Sequence, residues 1–441
     1  MHTESPSSTI SGMKRFAITT LGCKVNQFEG GALSEQLIRN GYQQVPFSEE
    51  SDIYIINSCT VTTRSDRDSR RLIRRAHRQN PHATIIVTGC YAQVSPLDVQ
   101  ALPEVDLVIG NADKHAFLDL IHQKQSRVTN YKDAPESRVL PLTSYSDQTR
   151  AFLQIQNGCD SGCSYCIVPT ARGNSRSVPY SHIRETAQSL YDAGHHELVL
   201  TGIHIGAYGL DLAPPSSLYT LVNQLLTDCS VERIRLGSLE PTELSDQLIA
   251  LIATQKRLCN HLHIPLQSGS DRILASMNRH YTRSFYAERI MRASAAMPDA
   301  CIAADLIVGY PGESDTDFQE SIDLLAGLPI SDLHIFPYSR RPGTKADLEP
   351  DHLSPAVITE RAAYAQKLGQ NKRFQFMEQA VGSTVSVLGN RRMVNEGLIE
   401  GMSSNYLTVR YQGDSTDCNR ITPVTITKHE DGLLFGVKQG C

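Results

Sequence analysis

The first quarter of the chain alternates short apolar runs with amphipathic segments. The runs "KRFAITTLGC", "DIYIINSC", "TIIVTGC" and "DLVIGN" have the length of strands, and the segments between them, such as "SRRLIRRAHRQN", have helical spacing. Strands that alternate with helices in this way form parallel βαβ units. We therefore predict a flexible N-terminus at residues 1–13 and a parallel α/β sheet over residues 14–125.

A polar, aperiodic stretch predicts a linker at residues 126–144, and a second alternating series follows it. Its apolar runs are "AFLQIQ", "ELVLTG", "RIRLGS", "HLHIPLQ", "CIAADLIVGY" and "DLHIFPY". Six strands with helices between several of them predict a partial (β/α)6 barrel over residues 145–377. A closed eight-stranded barrel is not expected, since no further strand and helix pairs follow.

The pattern changes once more at about residue 378. Five short apolar runs follow, separated by glycine and polar turns: "STVSVLG", "GLIEGMS", "NYLTVRYQ", "PVTITKHE" and "LLFGVKQ". This spacing predicts a small all-β, OB-like barrel over residues 378–441.

Charge and targeting signals add little to this picture. The 42 basic and 47 acidic residues nearly balance, so a polyanion partner would have to bind a local patch. The chain has no apolar run like that of a signal peptide or a spanning helix, which predicts a cytoplasmic protein with no membrane partner. Its eleven cysteines then favour metal or thiol chemistry over disulfides.

Three of these cysteines form a compact set in "NGCDSGCSYC": Cys159, Cys163 and Cys166. One interpretation is that they are three ordinary thiols near the end of a strand. A zinc site is another, but zinc motifs usually add a second pair of ligands downstream, and none follows here. An iron-sulfur cubane held by three thiolates would keep one iron open.

The C-x3-C-x2-C spacing, with Tyr165 before the last cysteine, resembles the signature of radical S-adenosylmethionine enzymes. The resemblance implies a 4Fe-4S cluster whose open iron binds S-adenosylmethionine and whose reduction releases a 5'-deoxyadenosyl radical. Chemistry in such barrels lies at the carboxyl ends of strands. The cofactor-binding candidates are Tyr165, Gly202, Glu240, Gln267 and Gly309. For Gly309, in "VGYPGE", an ordinary strand-ending turn is the alternative.

The second set of cysteines is scattered along the first sheet. Cys23, Cys59 and Cys90 each follow directly on a predicted strand. Ligands bind at the carboxyl ends of parallel strands, so these thiols are expected at one edge of the sheet. Three half-buried cysteines that happen to end strands are the alternative.

The phrases "TLGCKVNQFE", "NSCTVT" and "TGCYAQ" resemble the N-terminal domain of the methylthiotransferases. This resemblance covers nearly the whole chain and implies an auxiliary 4Fe-4S cluster on Cys23, Cys59 and Cys90, a radical S-adenosylmethionine core and a C-terminal TRAM domain. The remaining cysteines match no ligand pattern and are expected to be free thiols: Cys229, Cys259, Cys301, Cys418 and Cys441.

"LGCKVNQFE" and "LTGIHIGAYG" resemble the branch that converts N6-threonylcarbamoyladenosine beside the tRNA anticodon to its 2-methylthio form. The partners implied are tRNA, a low-potential electron donor such as flavodoxin or ferredoxin, and a sulfur source. Two alternatives keep the chemistry and change the substrate, to isopentenyladenosine in tRNA or to an aspartate of a ribosomal protein. A non-catalytic iron-sulfur protein that binds RNA or transfers electrons is the alternative of another class.

A basic segment supports an RNA partner. "RSDRDSRRLIRRAHR" holds seven arginines and two aspartates, and Arg67, Arg71, Arg74 and Arg78 recur at helical steps. A solvated helix surface is the alternative. In the C-terminal segment we expect Arg391 and Arg392 to contact RNA, although basic and acidic side chains balance there.

Overall fold

The computed structural model describes residues 13–131, 139–145 and 148–439, which form two compact units. Of the described residues, the first unit contains 13–60, 64–131 and 139–140, and the second contains 61–63, 141–145 and 148–439. Within the described ranges, no helix has both the length and the apolar character needed to cross a bilayer. The predicted flexible segment, residues 1–13, lies outside these ranges except for its last residue.

The first unit is a parallel sheet with helices between its strands. Its strands are β1 Arg15–Thr20, β2 Gln43–Gln44, β3 Ile53–Ser58, β4 Thr84–Gly89 and β5 Leu107–Ile109. Its helices are α1 Lys24–Arg39, α2 Thr63–Gln79, α3 Cys90–Val94, α4 Pro96–Gln100 and α5 Phe117–Gln123, with a 3-10 helix at Asn111–Ala116. The sheet order is β2-β1-β3-β4-β5, and every neighbouring pair is parallel.

The prediction of a parallel α/β sheet is confirmed, because the four apolar runs are the strands β1, β3, β4 and β5. All six residues of β3 are buried, as expected for a central strand covered on both faces. The two-residue edge strand β2 was not predicted, since "QQ" carries no apolar signal.

The second unit begins with the partial-barrel region, which has eight strands, six of them in the barrel itself. Its strands are β6 Ala151–Gln154, β7 Gln156–Asn157, β8 Arg176–Ser177, β9 Glu197–Thr201, β10 Arg233–Leu236, β11 His261–His263, β12 Cys301–Val308 and β13 Asp332–Pro337. Its helices are α6 Val168–Arg172, α7 Tyr180–Asp192, α8 Leu218–Asp228, α9 Asp246–Thr254, α10 Asp271–Ser276, α11 Arg283–Ala296, α12 Asp315–Gly327 and α13 Pro355–Ala380. Further 3-10 helices lie at Ile205–Ala207, Pro241–Glu243 and Lys345–Leu348.

Six parallel strands form the partial barrel. β6, β9 and β10 make one three-stranded sheet, and β11, β12 and β13 make another. Isolated bridges from Ile234 to Leu258 and from Ser238 to His263 connect the two. The predicted six-stranded architecture is therefore confirmed. The short antiparallel pair β7 and β8 was not predicted, and it closes the base of the loop that carries the compact cysteines.

A closed five-stranded barrel follows α13. Its strands are β14 Thr384–Gly389, β15 Leu398–Ser403, β16 Thr408–Gln412, β17 Ile421–Glu430 and β18 Leu433–Lys438, in the order β14-β15-β16-β18-β17. Alternate apolar side chains fill its interior, among them Val387, Ile399, Val409 and Val424. The small all-β barrel is thus confirmed.

This C-terminal barrel packs on the amino ends of the partial barrel's strands. Arg233 and Arg235, at the start of β10, donate hydrogen bonds to four backbone carbonyls of the C-terminal barrel at 2.9–3.0 Å, those of Ser386, Met402, Ser403 and Ser404. Tyr406 stacks on His261, the first residue of β11, with ring centroids 4.4 Å apart. The opposite, carboxyl ends of the strands carry the compact cysteines.

Candidate functional site

Cys23, Cys59 and Cys90 lie at the carboxyl ends of three neighbouring strands of the first unit. They follow directly on, or within three residues of, β1, β3 and β4. Ser58 and Gly89, which precede Cys59 and Cys90, are register partners, so these strands end level with each other. The structure thus brings the scattered cysteines to one edge of the sheet.

Two glycines allow the close packing at this edge. A Cβ on Gly22 would lie 2.8 Å from the Sγ of Cys59. Gly89 has a φ of +94°, and a Cβ there would lie 2.3 Å from the carbonyl oxygen of Ser58. A side chain at either position would push the strand ends apart.

A buried polar network stabilises the same edge of the sheet. Lys114 Nζ donates to Glu29 Oε2 at 2.5 Å and to Asn57 Oδ1 at 3.1 Å, and the Lys114 and Glu29 side chains are only 3% and 6% exposed. Asn57 also donates to the carbonyl of Asn26 at 2.8 Å. These bonds tie helix α1 and the 3-10 helix to strand β3, two residues before Cys59.

This donor set fits an iron-sulfur cluster. It consists of thiol sulfurs, which suit iron-sulfur clusters or zinc and do not suit magnesium or calcium. Asn111 Nδ2 donates a hydrogen bond to the Sγ of Cys90 at 3.5 Å, which orients that sulfur. Three thiolates would ligate three irons of a cubane and leave the fourth iron to a ligand from outside the protein.

The compact cysteines line a cavity of about 380 Å³ in the second unit. The loop that carries them leaves β7 and returns at β8. Other lining residues come from the carboxyl ends of the barrel strands, including His204, Glu240, Gln267, Asp305 and Phe336. The cavity therefore lies where a barrel of this kind places its chemistry.

The three thiols of this cavity have different electrostatic surroundings. Burial raises the pKa of Cys159, but hydrogen bonds with His204 and Ser161 outweigh burial and bring the pKa below its usual value. Burial raises the pKa of Cys166 to about 12. A thiol of that kind loses its proton when it coordinates a metal ion. Without a bound metal ion, Cys166 is therefore a neutral thiol at neutral pH and not a thiolate nucleophile.

The predicted cofactor-binding residues divide into two groups. Tyr165, Glu240 and Gln267 line the cavity. Gly202 and Gly309 are not among the described residues that line it. Gly202 packs against Gln156, and the backbone N–H of Gly309 donates to Glu313 at 2.8 Å. These two glycines shape the strand ends instead.

Sequence reasoning missed three polar residues beside the compact cysteines. His204 Nδ1 lies 3.7 Å from Cys159 Sγ, and its Nε2 pairs with Glu243. Arg279 Nη1 lies 3.4 Å from Cys163 Sγ. The rule that chemistry follows strand ends points to His204, three residues after β9. Arg279, in the turn after α10, gave no comparable signal.

A carboxylate shared by two imidazoles lies beside the same cavity. Asp305 Oδ1 is 2.6 Å from His263 Nε2 and 3.0 Å from His334 Nδ1. Burial raises the pKa of Asp305, but the two histidines outweigh burial and hold it at about 2. Asp305 is therefore an anion at neutral pH, oriented by residues from the two strands that flank β12.

The predicted basic face is present on helix α2. Arg67, Arg71, Arg74 and Arg78 are exposed, while Asp66, Ser69, Ile73 and Ala76 form the buried face. Acidic neighbours are only loosely placed, with Arg71 3.6 Å from Asp68 and Arg74 4.0 Å from Glu104. The face is thus available to a polyanion.

The other predicted residues lie elsewhere. Arg391 is half-buried, with Nη2 3.3 Å from His195 Nδ1 and Nη1 3.4 Å from the carbonyl of Tyr145, whereas Arg392 is exposed. Cys229, Cys259 and Cys301 are buried as free thiols, and Cys418 is half-buried. Cys441 lies outside the described residues.

Comparisons with known proteins agree with this arrangement. Residues 15–110 match the model of the uncharacterized protein family UPF0004, and residues 153–325 match the radical SAM superfamily. The chain is 37% identical over 426 residues to the threonylcarbamoyladenosine tRNA methylthiotransferase MtaB of Bacillus subtilis, covering 94% of each chain. It is 33% identical over 437 residues to the tRNA-2-methylthio-N(6)-dimethylallyladenosine synthase of Pelotomaculum thermopropionicum, covering 96% of this chain and 98% of that one.

A solved structure shares the fold. The radical S-adenosylmethionine methyltransferase TsrM from Kitasatospora setae aligns with a TM-score of 0.57 at 13% sequence identity. The alignment covers 88% of this chain and 78% of that one. At such low identity the likeness concerns the fold alone.

Proposed function

This chain belongs to the radical S-adenosylmethionine methylthiotransferase family, and we propose that its substrate is N6-threonylcarbamoyladenosine at position 37 of tRNA, beside the anticodon. The product is 2-methylthio-N6-threonylcarbamoyladenosine. The named activity of the Bacillus subtilis relative, which matches this chain over nearly its full length, supports the choice of substrate.

We further propose that the chain carries two clusters, and the observation behind this is the position of two separate sets of three cysteines, one at the edge of the first sheet and one in the cavity of the second unit. Enzymes of this family use S-adenosylmethionine and 4Fe-4S clusters. We assign the radical cluster to Cys159, Cys163 and Cys166 in the second unit. We assign the auxiliary cluster to the edge of the first sheet, where three strand ends deliver Cys23, Cys59 and Cys90.

The two proposed cluster sites have different roles. When bound and reduced, the radical cluster supplies the electron for cleavage of the sulfonium of S-adenosylmethionine. Tyr165, Glu240 and Gln267 line the cavity beside it and are proposed to orient that cosubstrate, while Gly202 and Gly309 set the shape of the strand ends. A second molecule of S-adenosylmethionine is proposed as methyl donor to the sulfur.

Helix α2 is the proposed contact for the tRNA backbone. Its exposed arginines at positions 67, 71, 74 and 78 share one face and have only loose acidic neighbours. Each arginine that neutralises a phosphate releases counterions, which makes the affinity depend on salt. Arg392 is exposed and is proposed as a further contact. Arg391 already contacts His195 through Nη2, so fewer of its N–H groups are available to RNA.

The remaining assignments follow from the family. We propose that residues 14–125 form the methylthiotransferase N-terminal domain, that residues 126–144 are a linker, that residues 145–377 form the radical core, and that the closed barrel at residues 378–441 is a TRAM domain. A low-potential electron donor such as flavodoxin or ferredoxin and a sulfur source are proposed as partners. A tRNA substrate supports a cytoplasmic location.

The test is nucleoside mass spectrometry of tRNA from cells that lack this protein and from cells complemented with it. We expect 2-methylthio-N6-threonylcarbamoyladenosine to disappear on deletion and to return with the wild-type gene. A gene encoding Cys159→Ala should not restore it, and a gene encoding Cys418→Ala, a cysteine outside both sites, should.

Nucleoside analysis, together with analysis of ribosomal proteins and an assay of the purified protein, separates the alternatives. Loss of the 2-methylthio form of isopentenyladenosine would point to the other tRNA substrate, for which the dimethylallyladenosine relative is a precedent. Unchanged tRNA together with a lost aspartate modification on a ribosomal protein would point to the protein substrate. Purified protein that forms no 5'-deoxyadenosine under a strong reductant would indicate a non-catalytic role.

A further inference from the structure

Asp305 lines the cavity with one carboxylate oxygen that the protein does not use. Its Oδ1 is 2.6 Å from His263 Nε2 and 3.0 Å from His334 Nδ1. Since the pKa of Asp305 is about 2, the carboxylate accepts both hydrogen bonds and the ring nitrogens donate them. Among the residues that the structure describes, none donates to Oδ2. Oδ2 is therefore an acceptor for a bound ligand, on a side chain that is only 14% exposed.

Strand register places this carboxylate in a row of side chains that face the cavity. Asp305 and Ile307 are two residues apart on β12, so they share one face of the strand, and both line the cavity. Their register partners on β13 are His334 and Phe336, and Phe336 also lines the cavity. Phe336 is 44% exposed. The wall therefore presents a fixed anion beside an accessible aromatic ring.

This part of the wall is separate from the groups around the compact cysteines. Arg279 Nη1 lies 3.4 Å from Cys163 Sγ, and the same guanidinium pairs with Glu240. Within the described ranges, Asp305 shares no hydrogen bond or ion pair with these residues or with the other two compact cysteines. The carboxylate is thus free to contact a ligand that lies beside the proposed radical cluster.

The two candidate tRNA substrates offer different groups to such a wall. Both are adenines substituted at N6, and N6 lies on the same edge of the ring as C2, the carbon that is modified. A threonylcarbamoyl group adds N–H and hydroxyl donors beyond N6, whereas an isopentenyl group adds only C–H bonds. A base can stack on an aromatic ring, and a donor on its substituent can bind a carboxylate. A site built to accept such a hydrogen bond discriminates against a substrate that lacks the donor.

We propose that Asp305 is a specificity-determining residue whose Oδ2 accepts a hydrogen bond from the threonylcarbamoyl group of the substrate. His263 and His334 hold Oδ1, which leaves Oδ2 for the ligand. This inference rests on the proposed function and refines it, because it assigns the choice between two tRNA substrates to one carboxylate.

The experiment measures tRNA binding by the reconstituted full chain at constant salt. Three tRNAs of one sequence are the probes, with threonylcarbamoyladenosine, isopentenyladenosine or adenosine at position 37. Asp305→Asn is nearly isosteric, and when its Oδ1 accepts from both imidazoles its Nδ2 places a donor at the position of Oδ2. Asp305→Ala removes both oxygens and is the second variant. Asp192→Asn, at the exposed end of α7, is the control.

We expect the wild type and Asp192→Asn to bind the threonylcarbamoyladenosine tRNA about 10–100-fold more tightly than either other probe. In Asp305→Asn and Asp305→Ala this preference should be lost, while the affinity for the adenosine tRNA stays close to that of the wild type. The latter affinity shows that a variant is folded.

Three results would overturn the inference and leave the proposed function intact. They are a folded Asp305 variant that keeps the preference, a wild type that has none, and loss of adenosine tRNA binding in both variants, which would make Asp305 a structural residue. Failure of the wild type to methylthiolate the threonylcarbamoyladenosine tRNA would instead refute the proposed function, and the inference with it.

Discussion

Arg235 and Glu197 form an ion pair that is wholly enclosed by protein. Nε of Arg235 lies 2.8 Å from Oε1 of Glu197, and neither side chain is exposed. Burial raises the pKa of Glu197, but Arg235 and Arg233 outweigh burial and hold it at about 2. Because both arginines also donate to carbonyls of the C-terminal barrel, this carboxylate stabilises the interface between the two barrels.

Glu197→Gln should therefore loosen the C-terminal barrel. The substitution leaves two buried guanidinium groups without their counter-ion, and breaking a buried pair in this way costs about 3–5 kcal/mol. Urea unfolding and limited proteolysis should show lower stability and faster cleavage between residues 381 and 439. Glu430→Gln is the matched control, because Glu430 and Lys428 form an exposed pair whose loss should change the stability little. Equal stability of the two variants would contradict the prediction.

Stability should fall as the pH drops from about 6.5 toward 4 because of His195. Burial and the charge of Arg391 lower the pKa of His195 from 6.5 to about 4. Over that interval the unfolded chain binds a proton that the folded chain excludes, so acid favours unfolding. At pH 5 the loss is at most about 2 kcal/mol.

The measurement is urea unfolding of the wild type and of His195→Gln at pH 7.5 and pH 5. Glutamine can still accept the backbone N–H of Tyr145, which His195 Nε2 accepts at 3.2 Å, but it does not titrate. The difference in stability between the two pH values should be smaller in the variant. An identical pH dependence in both proteins would refute the role of His195.

The iron content of the wild type and of two cysteine variants should show whether each set of cysteines binds its own cluster. We expect about eight irons per chain in anaerobically reconstituted wild type and about four after alanine replaces the cysteines of either set. The variant that lacks Cys23, Cys59 and Cys90 should still form 5'-deoxyadenosine under strong reductant, because it keeps the proposed radical site. The variant that lacks Cys159, Cys163 and Cys166 should form none. Cys418→Ala should keep the full iron content, and a drop to four irons there would implicate that thiol.

Neutralising the basic face of α2 should weaken the binding of all tRNAs by a similar factor, whatever their sequence. For Arg67→Gln combined with Arg74→Gln, the slope of log affinity against log salt should fall by about 0.7–0.9 for each phosphate that the variant no longer neutralises. Filter binding of tRNA over a range of salt concentrations measures this slope. Arg292→Gln, an exposed arginine on α11 of the barrel, is the control and should leave the slope unchanged.

Most of what could be predicted about the fold and the candidate sites came from short patterns within the sequence. The three compact cysteines are recognisable because their spacing is fixed within eight residues. The start of helix α13 at Pro355 also carries a local signal, since an N-cap serine and a proline mark it. Cys23, Cys59 and Cys90 were predicted to meet because the carboxyl ends of parallel strands share an edge.

What escaped prediction depends on register across the fold. His204 and Glu243 are 39 residues apart, and their pairing needs β9 and β10 to lie side by side with a given register. Arg235 meets the carbonyl of Ser404 across 169 residues of sequence. Residues of these types are common on protein surfaces, so a single sequence does not mark them as partners. The contacts become visible only once the strands are placed side by side.

The interface of Arg233 and Arg235 also bears on the order of synthesis. Their four carbonyl acceptors lie between residues 386 and 404, and the ribosome adds each acceptor 153–169 residues after the arginine that it binds. Until that segment emerges, both guanidinium groups must remain hydrated, because burying them without acceptors is costly. A chain that ends before residue 386 would therefore leave both guanidinium groups without these four acceptors, however complete its cysteines are.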